Sequence, residues 1–488
     1  MVKIFTLLLL SSITFGLQAQ IKFFKIYTDE GFDKGEGITQ LSDSSYLITG
    51  SSTSFESGPP KAYIMKIDSL GNHLWAKQYG GQEINEGKRV FAIEGDGYYV
   101  LGNTSSNPTA DFNFYFIKTD EAGEPLIQKQ FGTSQWDFVN DAMMLADSSF
   151  ILTGETYNTI DGMQDAYTIH VNKVGDTLWT RQSFKPGIDK INAIENVGDT
   201  AFVLAGTIWN PDSLAQKSFV GFYKNDQTVI WEKEYGVTGD FQINDVVLWN
   251  NIFHCVGDRI LVVDSLRDEY VHRINLLGDT LSYYSYLGNS DKTFSKLVKY
   301  GPSNKFYIAI SAQDQYSFGT GEDIYLARFD DYMGYDYSGV IFNAGGQDDV
   351  GDLINTSDGG AIMVGTNRSF GTGNANVYVL KVGANDDYPV TSGTPNINSL
   401  VEIIENSSLL LESILFPNPT KGDLEIHLSQ NVNGTIQIMN NLGQIIRVEE
   451  IKSIETKLNI QDLSKGIYFV QFISSEGKTE LLGKILKN

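Results

Sequence analysis

The stretch GEGITQLSDSSYLITGSSTSFESGPPKAYIMKIDSLGNHLWAKQYG (35–80) decides the fold of this chain. It holds four short apolar runs, each bounded by Gly, Asp, Ser or Pro: Gly37–Leu41, Tyr46–Thr49, Ala62–Ile67 and His73–Tyr79. Runs of this length, rich in Ile, Val, Leu, Tyr or Phe, are typical of β-strands. No segment after residue 20 sustains an apolar period of 3.6 residues, so helices are not expected. The stretch predicts four consecutive strands.

The second of these runs recurs along the chain. SYLITG, GYYVLG, SFILTG, AFVLAG and IFHCVG end at intervals of 52, 52, 52 and 51 residues, on Gly50, Gly102, Gly154, Gly206 and Gly257. A degenerate sixth copy reads FYIAIS (306–311), and a seventh, GAIMVG, ends at Gly365. A fixed period of this size predicts a repeat architecture.

Four antiparallel strands repeated at this period match the blade of a β-propeller, and seven copies predict seven blades. The seventh unit stops after VYVLKVG (377–383) and lacks a fourth strand, whereas IKFFKIYTDEGFD (21–33) is a spare strand that aligns with HLWAKQYGGQEIN (73–85). We therefore expect an all-β fold in which the N-terminal strand completes the last blade and closes the ring. Closure would remove exposed sheet edges. An open array or a β-helix is the alternative.

The connections predict two different ends of this propeller. Asp/Asn-x-x-Gly turns follow the third strand at Asp68, Asp120, Asn172 and Asn275, where the Asx side chain accepts backbone hydrogen bonds and Gly adopts a positive φ. The first and second strands are also joined tightly. The second-to-third and blade-to-blade connections are long and share the opposite end, which is the predicted binding surface because binding residues concentrate on loops of a rigid scaffold.

Aromatic residues on the long loops are the candidate ligand contacts, since exposed rings stack on sugars or anchor protein partners. Folding of these rings back over the blade edges is the alternative. The candidates are Phe55, Tyr157, Trp209, Tyr316, Phe318 and Phe370.

A column of carboxylates precedes the first strand of the repeats. It lies seventeen residues before each phrase-ending glycine and comprises Asp33, Asp137, Asp189, Asp240 and Asp348, with Asn85 in the second copy. Oxygen ligands of this kind could attract calcium. The favoured interpretation is turn capping, in which each carboxylate accepts backbone N–H groups, so no cofactor is expected.

The N-terminal segment indicates export. Residues 1–19 combine Lys3, an apolar core and a small-residue cleavage site before Gln20, as in a secretory signal peptide. No later segment is apolar enough to span a membrane.

The composition is acidic. The 488 residues carry 36 Lys and Arg against 60 Asp and Glu, a net charge of −24 without a basic patch, so nucleic acid is not an expected partner. The single cysteine, Cys255, lies in an apolar run and predicts a buried, inert thiol.

The repeat ends at residue 383 and a second region follows. Residues 384–411 have the Asn-, Ser-, Thr- and Pro-containing composition of a linker. Residues 412–488 hold short strands with frequent turn signals, as in a small β-sandwich.

Four ordered motifs mark this second region: LFPNPTKGDLEI (415–426), IQIMNNLGQII (436–446), LNIQDLSKGIYFVQF (458–472) and KILK (484–487). They resemble the C-terminal sorting domain of proteins exported by the Bacteroidota type IX secretion system. The resemblance implies an immunoglobulin-like sandwich, the secretion machinery as a partner, and a location outside the cell or on its outer surface, reached through the periplasm. The matching positions are Pro417, Asn418, Pro419, Gly422, Gly443, Gly466 and Tyr468. An ordinary adhesive sandwich is the alternative.

Enzyme motifs are weak in this sequence. The five histidines are scattered without metal spacing, no G-x-S-x-G elbow occurs, and a carboxylate pair cannot be singled out in so acidic a chain. The repeats also resemble those of secreted bacterial proteins of unassigned role, which implies a fold and not an activity. The leading hypothesis is a secreted or surface-displayed propeller that binds a glycan or a protein. A hydrolase or lyase acting on polysaccharide and a passive structural surface component are the alternatives.

Overall fold

The structure is a computed structural model, and it describes most of the chain beyond the predicted signal peptide. The described residues are 22–105, 111–157, 162–183, 187–210, 214–236, 239–260, 267–286, 292–300, 305–313, 322–342, 348–368, 371, 373–383, 396–400, 413–428, 433–440, 445–451, 453–474 and 479–488. They contain strands and turns but no α-helix. Two compact units are present, divided after Glu402.

The first unit begins with strand β1 (Phe23–Tyr27), which is followed along the chain by four-stranded antiparallel sheets. Within each sheet, strands follow one another in chain order. Sheet one is β2–β5 (Asp33–Gln40, Tyr46–Ser52, Lys61–Ile67, His73–Tyr79), sheet two is β6–β9 (Asn85–Ile93, Gly97–Thr104, Asn113–Thr119, Pro125–Phe131), and sheet three is β10–β13 (Asp137–Met144, Phe150–Tyr157, Gln164–Val171, Thr177–Gln182). Sheet four is β14–β17 (Lys190–Val197, Ala201–Asn210, Ala215–Lys224, Val229–Tyr235), sheet five is β18–β21 (Asp240–Trp249, Ile252–Ile260, Arg267–Asn275, Thr280–Tyr286), and sheet six is β22–β25 (Lys292–Tyr300, Lys305–Gln313, Glu322–Asp330, Tyr335–Phe342). This is a propeller-like arrangement of sheets.

Sheet seven combines the two ends of the unit. Its strands β26 (Asp349–Asn355), β27 (Ala361–Asn367) and β28 (Asn376–Val382) are followed in space by β1, which pairs antiparallel with β28. The N-terminal strand thus occupies the fourth position of the sheet. A further strand, β29 (Asn396–Asn398), pairs parallel with β1. This part of the predicted linker 384–411 is therefore a strand, and Leu400 just beyond it is fully buried.

In the first unit, the first strand of each of the seven sheets carries a β-bulge at the same position of the repeat. The register shifts after Gly35, Gly87, Val139, Ile191, Ile243, Phe294 and Val350. A bulge re-aims the side chain that follows it. The side chains after the bulges therefore form a series of equivalent positions, which includes Arg89, Asp141, Asp245, Lys296 and Asp352.

Neighbouring sheets pack face to face and bury the apolar residues of the repeat. The core between sheets seven and one, for example, joins Val364 and Val377 to Ile48 and Tyr63. Alternate residues of each third strand face the preceding and the following sheet, so Tyr63 and Met65 face sheet seven whereas Ala62 and Ile64 face sheet two. Burial on both faces explains why the second strands are continuous apolar runs.

The predicted Asx-x-x-Gly turns are confirmed. Gly71 donates its N–H to the Asp68 carbonyl at 3.0 Å, while an Asp68 carboxylate oxygen accepts from the backbone of Leu70 and Asn72 at 2.8 Å. Gly71 has φ +76°, a conformation that glycine adopts without strain. The same geometry recurs at Asp120, Asn172 and Asn275.

The second unit consists of two antiparallel sheets. One holds β30 (Ser413–Phe416), β31 (Asp423–Leu428) and β34 (Glu455–Asn459); the other holds β33 (Ile445–Ile451), β32 (Gly434–Asn440), β35 (Gly466–Ser474) and β36 (Thr479–Lys487). Leu424 and Ile426 of the first sheet share a buried core with Ile436 and Val470 of the second. The unit is thus a small sandwich.

Candidate functional site

The strand registers define the two ends of the sheets in the first unit. Asp33 pairs with Ser52, so the start of a first strand lies beside the end of the second strand. The connection 53–60, which follows the second strand, therefore lies at the same end of the sheet as the start of the first strand. We call this the long-loop end, and the predicted binding residues Phe55, Tyr157 and Trp209 lie at it.

The carboxylate column lies at the long-loop end, where each member has hydrogen-bond donors. Asp33 accepts from the hydroxyls of Ser52 at 2.5 Å and Ser54 at 2.8 Å. Asp137 accepts from the backbone of Thr133 at 2.6 Å, Asp189 from that of Trp209 at 2.8 Å, Asp240 from that of Gln216 at 2.8 Å and Asp348 from that of Arg368 at 2.9 Å. Asn85 replaces the carboxylate in sheet two and accepts from Thr104 at 2.7 Å. These are contacts of strand-end caps.

Burial perturbs two members of the column. Burial raises the pKa of Asp33 to about 6, against the opposing effect of the Ser52 and Ser54 hydrogen bonds. It likewise raises the pKa of Asp137 to about 6, against hydrogen bonds from Thr156 and Thr133. Within the described ranges, no group of three or more His, Cys, Asp or Glu side chains is placed to hold a metal ion.

Three of the six predicted aromatic contacts fall on described residues. Phe55 is partly buried and packs against Tyr63 with ring centroids 6.3 Å apart. Trp209 is partly buried, and Tyr157 is 40% exposed. Tyr316, Phe318 and Phe370 lie outside the described residues.

An aromatic cluster that the sequence analysis did not identify lies between sheets two and three at the long-loop end. Its rings are Phe112, Trp136 and Phe138, and we call it the Trp136 cluster. Phe112 lies 4.8 Å from Phe138 and 5.9 Å from Trp136 between ring centroids, and Trp136 lies 6.4 Å from Phe138. Trp136 is 51% exposed.

Hydrogen bonds fix the Trp136 cluster on the scaffold. The indole Nε1 of Trp136 donates to Asp111 Oδ1 at 2.8 Å, and the Trp136 carbonyl accepts the backbone N–H of Tyr157 at 2.8 Å. The backbone N–H of Asp137 donates to the Phe112 carbonyl at 2.8 Å. The cluster therefore presents a rigid, partly exposed indole with the predicted Tyr157 beside it.

The Trp136 cluster is formed by residues of the second and third copies of the repeat. One period earlier the equivalent positions are Pro60, Ile84 and Glu86, and one period later they are Gln164, Ile188 and Lys190. The structural equivalence is direct, because Pro60 and Gln164 accept the same backbone hydrogen bond as Phe112, from Asn85 and Asp189. A feature absent from neighbouring copies is not required by the repeat fold, which makes it a candidate for function.

A group of buried charges lies where the first strands of several sheets meet. Arg89 Nε contacts Asp141 Oδ1 at 2.6 Å, and Arg89 Nη1 lies 3.4 Å from Asp352 Oδ2. Burial alone would lower the pKa of Arg89, but the charges of Asp141 and Asp352 raise it. Because these carboxylates also accept backbone N–H groups of the next sheet, we interpret the group as structural.

Cys255, His254 and His272 are titratable residues buried in the core of sheet five. Cys255 is fully buried, and burial raises the pKa of its thiol. Burial lowers the pKa of His254 to about 3 and that of His272 to about 4, so both rings are neutral at physiological pH.

The predicted sorting-motif residues organise the second unit. Asn418 Nδ2 donates to the Lys484 carbonyl at 2.8 Å, and Asn418 Oδ1 accepts from Leu486 N at 2.9 Å, which ties the PNP segment to the last strand. Tyr468 Oη donates to the Ser464 carbonyl at 2.9 Å. Pro417 and Pro419 follow cis peptide bonds, Gly422 has φ +147°, and Gly466 opens β35. Gly443 lies outside the described residues.

The second unit matches a known family. Residues 414–488 match the secretion system C-terminal sorting domain, which confirms the predicted type IX sorting domain. The domain indicates export to the cell surface or secretion, and it implies interaction with the secretion machinery. No helix in the described part of the chain is long and apolar enough to cross a membrane.

Solved structures similar to this chain include three proteins of different kinds. The Pan2 WD40 domain of Neurospora crassa is 10% identical, covering 73% of this chain and 91% of its own, with a TM-score of 0.44. The polysaccharide lyase Uly1 is 9% identical over 72% of this chain and 90% of its own, with a TM-score of 0.45. The extracellular domain of BT4673 from B. thetaiotaomicron is 12% identical over 93% of this chain and 68% of its own, with a TM-score of 0.27. No curated protein matches the chain.

Proposed function

We propose that this chain is an exported, closed seven-bladed β-propeller that binds a glycan through the Trp136 cluster. The single observation that carries the binding proposal is the 51% exposed indole of Trp136, held in place by Asp111. The boundaries 1–19, 20–383, 384–411 and 412–488 are our proposal for signal peptide, propeller, linker and sorting domain, with β29 added to the propeller.

Two contacts support closure of the ring. Tyr27 of β1 donates its hydroxyl to the Gly71 carbonyl of sheet one at 2.7 Å, as Tyr79 of sheet one does to Gly123 of sheet two at 2.7 Å. Strand β1 therefore contacts the next sheet in the way that a fourth strand does. Asp352 of sheet seven accepts the backbone N–H of Ile38 in sheet one at 3.2 Å. Both contacts join the last sheet to the first.

The chemistry of the Trp136 cluster favours a sugar ring. A fixed indole offers a flat apolar face, on which the C–H face of a pyranose stacks, and the ordering of the indole before binding limits the entropy that association would cost. Asp111, which accepts from the indole, can accept hydrogen bonds from sugar hydroxyls, and the partly exposed Gln135, which precedes Trp136 in the chain, can accept or donate them. A protein ligand would use the same ring as an anchor, so the experiment must separate the two.

A glycan array probed with the purified full chain tests the proposal. We expect retention of one class of glycan, and we expect Phe112→Ala to reduce it because Phe112 packs against both other rings. Tyr332→Ala is the matched control, since Tyr332 is 64% exposed on a turn between the third and fourth strands, at the opposite end of its sheet. An empty array together with specific capture of a protein would overturn the glycan proposal.

Catalysis is distinguished by the fate of the retained glycan. Incubation of the bound polysaccharide with the full chain, followed by an assay for new reducing ends and for unsaturated products, detects a hydrolase or a lyase. We expect neither product. Cleavage that is lost on substitution of Asp111 would replace the binding proposal by the enzyme alternative.

A further inference from the structure

Near the end of the fourth strand, all sheets of the first unit except one carry an aromatic residue at the same position of the repeat. The position pairs with a residue near the start of each third strand. The pairs are Ala62–Tyr79, Phe114–Phe131, Ser218–Tyr235, Glu269–Tyr286, Ile324–Phe342 and Val377–Tyr27. In sheet three the equivalent residue is Ser183, whose backbone N–H donates to the Ala166 carbonyl at 3.0 Å. The ring that fills the space before the next sheet is therefore absent in sheet three.

A cavity of about 290 Å³ occupies this place between sheets three and four. A second difference, the smaller side chain of Thr168, also lines this space, and Gly221 leaves room for the Tyr223 ring at its edge. Thr168 stands where sheets one, two, four and five carry Ile64, Phe116, Val220 and Val271, and Gly221 stands where other sheets carry Met65, Ile117, Ile169 and His272. Tyr223 folds over Gly221, since a Cβ at this glycine would lie 2.3 Å from the Tyr223 hydroxyl oxygen. The cavity thus results from side chains that these two copies do not share with the rest.

The cavity combines an apolar floor with polar walls. Leu204, Ile208 and Phe219 line the floor. The carboxylate of Asp189 is 1% exposed and already accepts one backbone hydrogen bond, from Trp209. Thr207 is 2% exposed and lines the cavity, and among the described residues its hydroxyl has no hydrogen-bond partner. A buried hydroxyl without a partner is costly, so a bound molecule or water that satisfies it is stabilised.

Charged groups close the side of the cavity that is partly exposed. Arg181 Nη2 and Glu232 Oε1 are 2.5 Å apart, with side chains about one third exposed, and Tyr223 donates its hydroxyl to Glu232 at 2.8 Å. The Arg181 guanidinium lies over the Tyr223 ring, 4.9 Å from its centroid. With Asp189, the charged lining carries one positive and two negative groups, which disfavours an anionic ligand.

We propose that this cavity is a binding site for a small neutral polyhydroxy molecule of single-ring size, such as a monosaccharide. The volume lies near the lower limit of roughly 300–1,000 Å³ for small-molecule pockets, which suits one ring and not an oligosaccharide. A ligand hydroxyl both donates and accepts, so it can bond the Thr207 hydroxyl, while Phe219 contacts the apolar side of the ring. The site is separate from the Trp136 cluster and does not depend on the proposed function.

Calorimetry and crystal soaking with D-glucose, D-galactose, D-mannose and myo-inositol at millimolar concentration test the proposal on the full chain. We expect at least one of these probes to bind and to occupy the cavity. Ser183→Tyr restores the ring that the other sheets carry, so we expect it to fill the cavity, raise the melting temperature and weaken binding about tenfold or more. Ser183→Ala keeps the space and is the matched control that retains binding.

Two further variants keep the test decisive if Ser183→Tyr fails to fold. Thr207→Val preserves shape but removes the hydroxyl, and we expect it to weaken binding several-fold. Tyr332→Ala, in a turn of sheet six, should leave binding of the probe unchanged. Crystal soaking shows separately whether the probe lies in this cavity or on the Trp136 cluster. Ordered water alone in the cavity after soaking, or undiminished binding to a folded Ser183→Tyr or Thr207→Val variant, would overturn the proposal.

Discussion

The Oδ2 atom of Asp352 in sheet seven lies 3.2 Å from the backbone nitrogen of Ile38 in sheet one and accepts its hydrogen bond. These residues are 314 positions apart in the chain. Equivalent bonds join Asp141 to Ile194 at 3.0 Å and Asp245 to Leu297 at 2.9 Å, each between a sheet and the next. The contact between the last and first sheets thus repeats the contact between consecutive sheets.

Asp352→Ala should destabilise the first unit measurably. The substitution leaves the buried N–H of Ile38 without its acceptor and removes one carboxylate beside Arg89, so we expect a loss of about 2–3 kcal/mol in unfolding free energy. Thermal and urea unfolding followed by circular dichroism measure the effect. Asp349→Ala is the control, because its half-exposed pair with Arg368 should contribute less than about 1 kcal/mol. Equal effects of the two substitutions would contradict the role assigned to Asp352.

Asp137 should make stability depend on pH. Because burial raises its folded pKa to about 6, above the ordinary value of 3.8, the folded state binds the proton more tightly than the unfolded state. This contribution is fully present below about pH 4 and is lost as the pH rises to about 6. Asp137→Asn mimics Asn85 of sheet two and removes the titration, so unfolding midpoints should fall less between pH 4 and pH 6 than in the unaltered chain. An unchanged pH profile in Asp137→Asn would contradict this assignment.

Calcium should have little effect on the carboxylate column. The side chains of Asp33, Asp137 and Asp348 already accept hydrogen bonds from their own sheets or connections, so we expect calcium or a chelator to shift the melting temperature by less than about 1 °C. Differential scanning calorimetry of the full chain provides the measurement. A saturable rise that disappears in Asp33→Asn would instead establish a cation site.

Removal of residues 412–488 should block export. We expect the truncated protein to accumulate in the periplasm, because the sorting domain that engages the secretion machinery is missing. Immunoblots of periplasm, outer membrane and medium measure the distribution, with full-length Trp136→Ala as the exported control. Unchanged appearance of the truncated protein in the medium would sink the prediction.

The repeat made the sheets predictable, whereas the candidate sites depend on departures from it. Asp68 and Gly71 define their turn through local chemistry, so their geometry follows from sequence. Phe112 and Trp136 lie in different connections, and only the strand register brings their rings together. Their signal was present, since aromatic residues flank Asp137 in one copy and not in the next. Ser183 could also have been found from the sequence, because it is the non-aromatic residue at a position of the repeat that is otherwise aromatic.

Other features lay beyond sequence reasoning for physical reasons. Strand β29 has three residues, Asn-Ile-Asn, which carry no strand signal, and it forms because β1 offers an unpaired edge. The buried contact of Arg89 with Asp141 arises because the bulges align side chains 52 residues apart. The fifth and sixth copies differ most in sequence from the other copies. The Trp136 cluster and the cavity nevertheless lie between sheets two and three and between sheets three and four.

The equilibrium dissociation constant of the full chain and of Trp136→Ala for the glycan class selected on the array tests the central claim most directly. Loss of an indole that stacks on a sugar removes about 1–3 kcal/mol, so we predict binding about 5- to 150-fold weaker for Trp136→Ala and unchanged binding for Tyr332→Ala. Equal dissociation constants for the unaltered chain and Trp136→Ala, with the variant folded, would contradict the claim that this cluster binds the glycan.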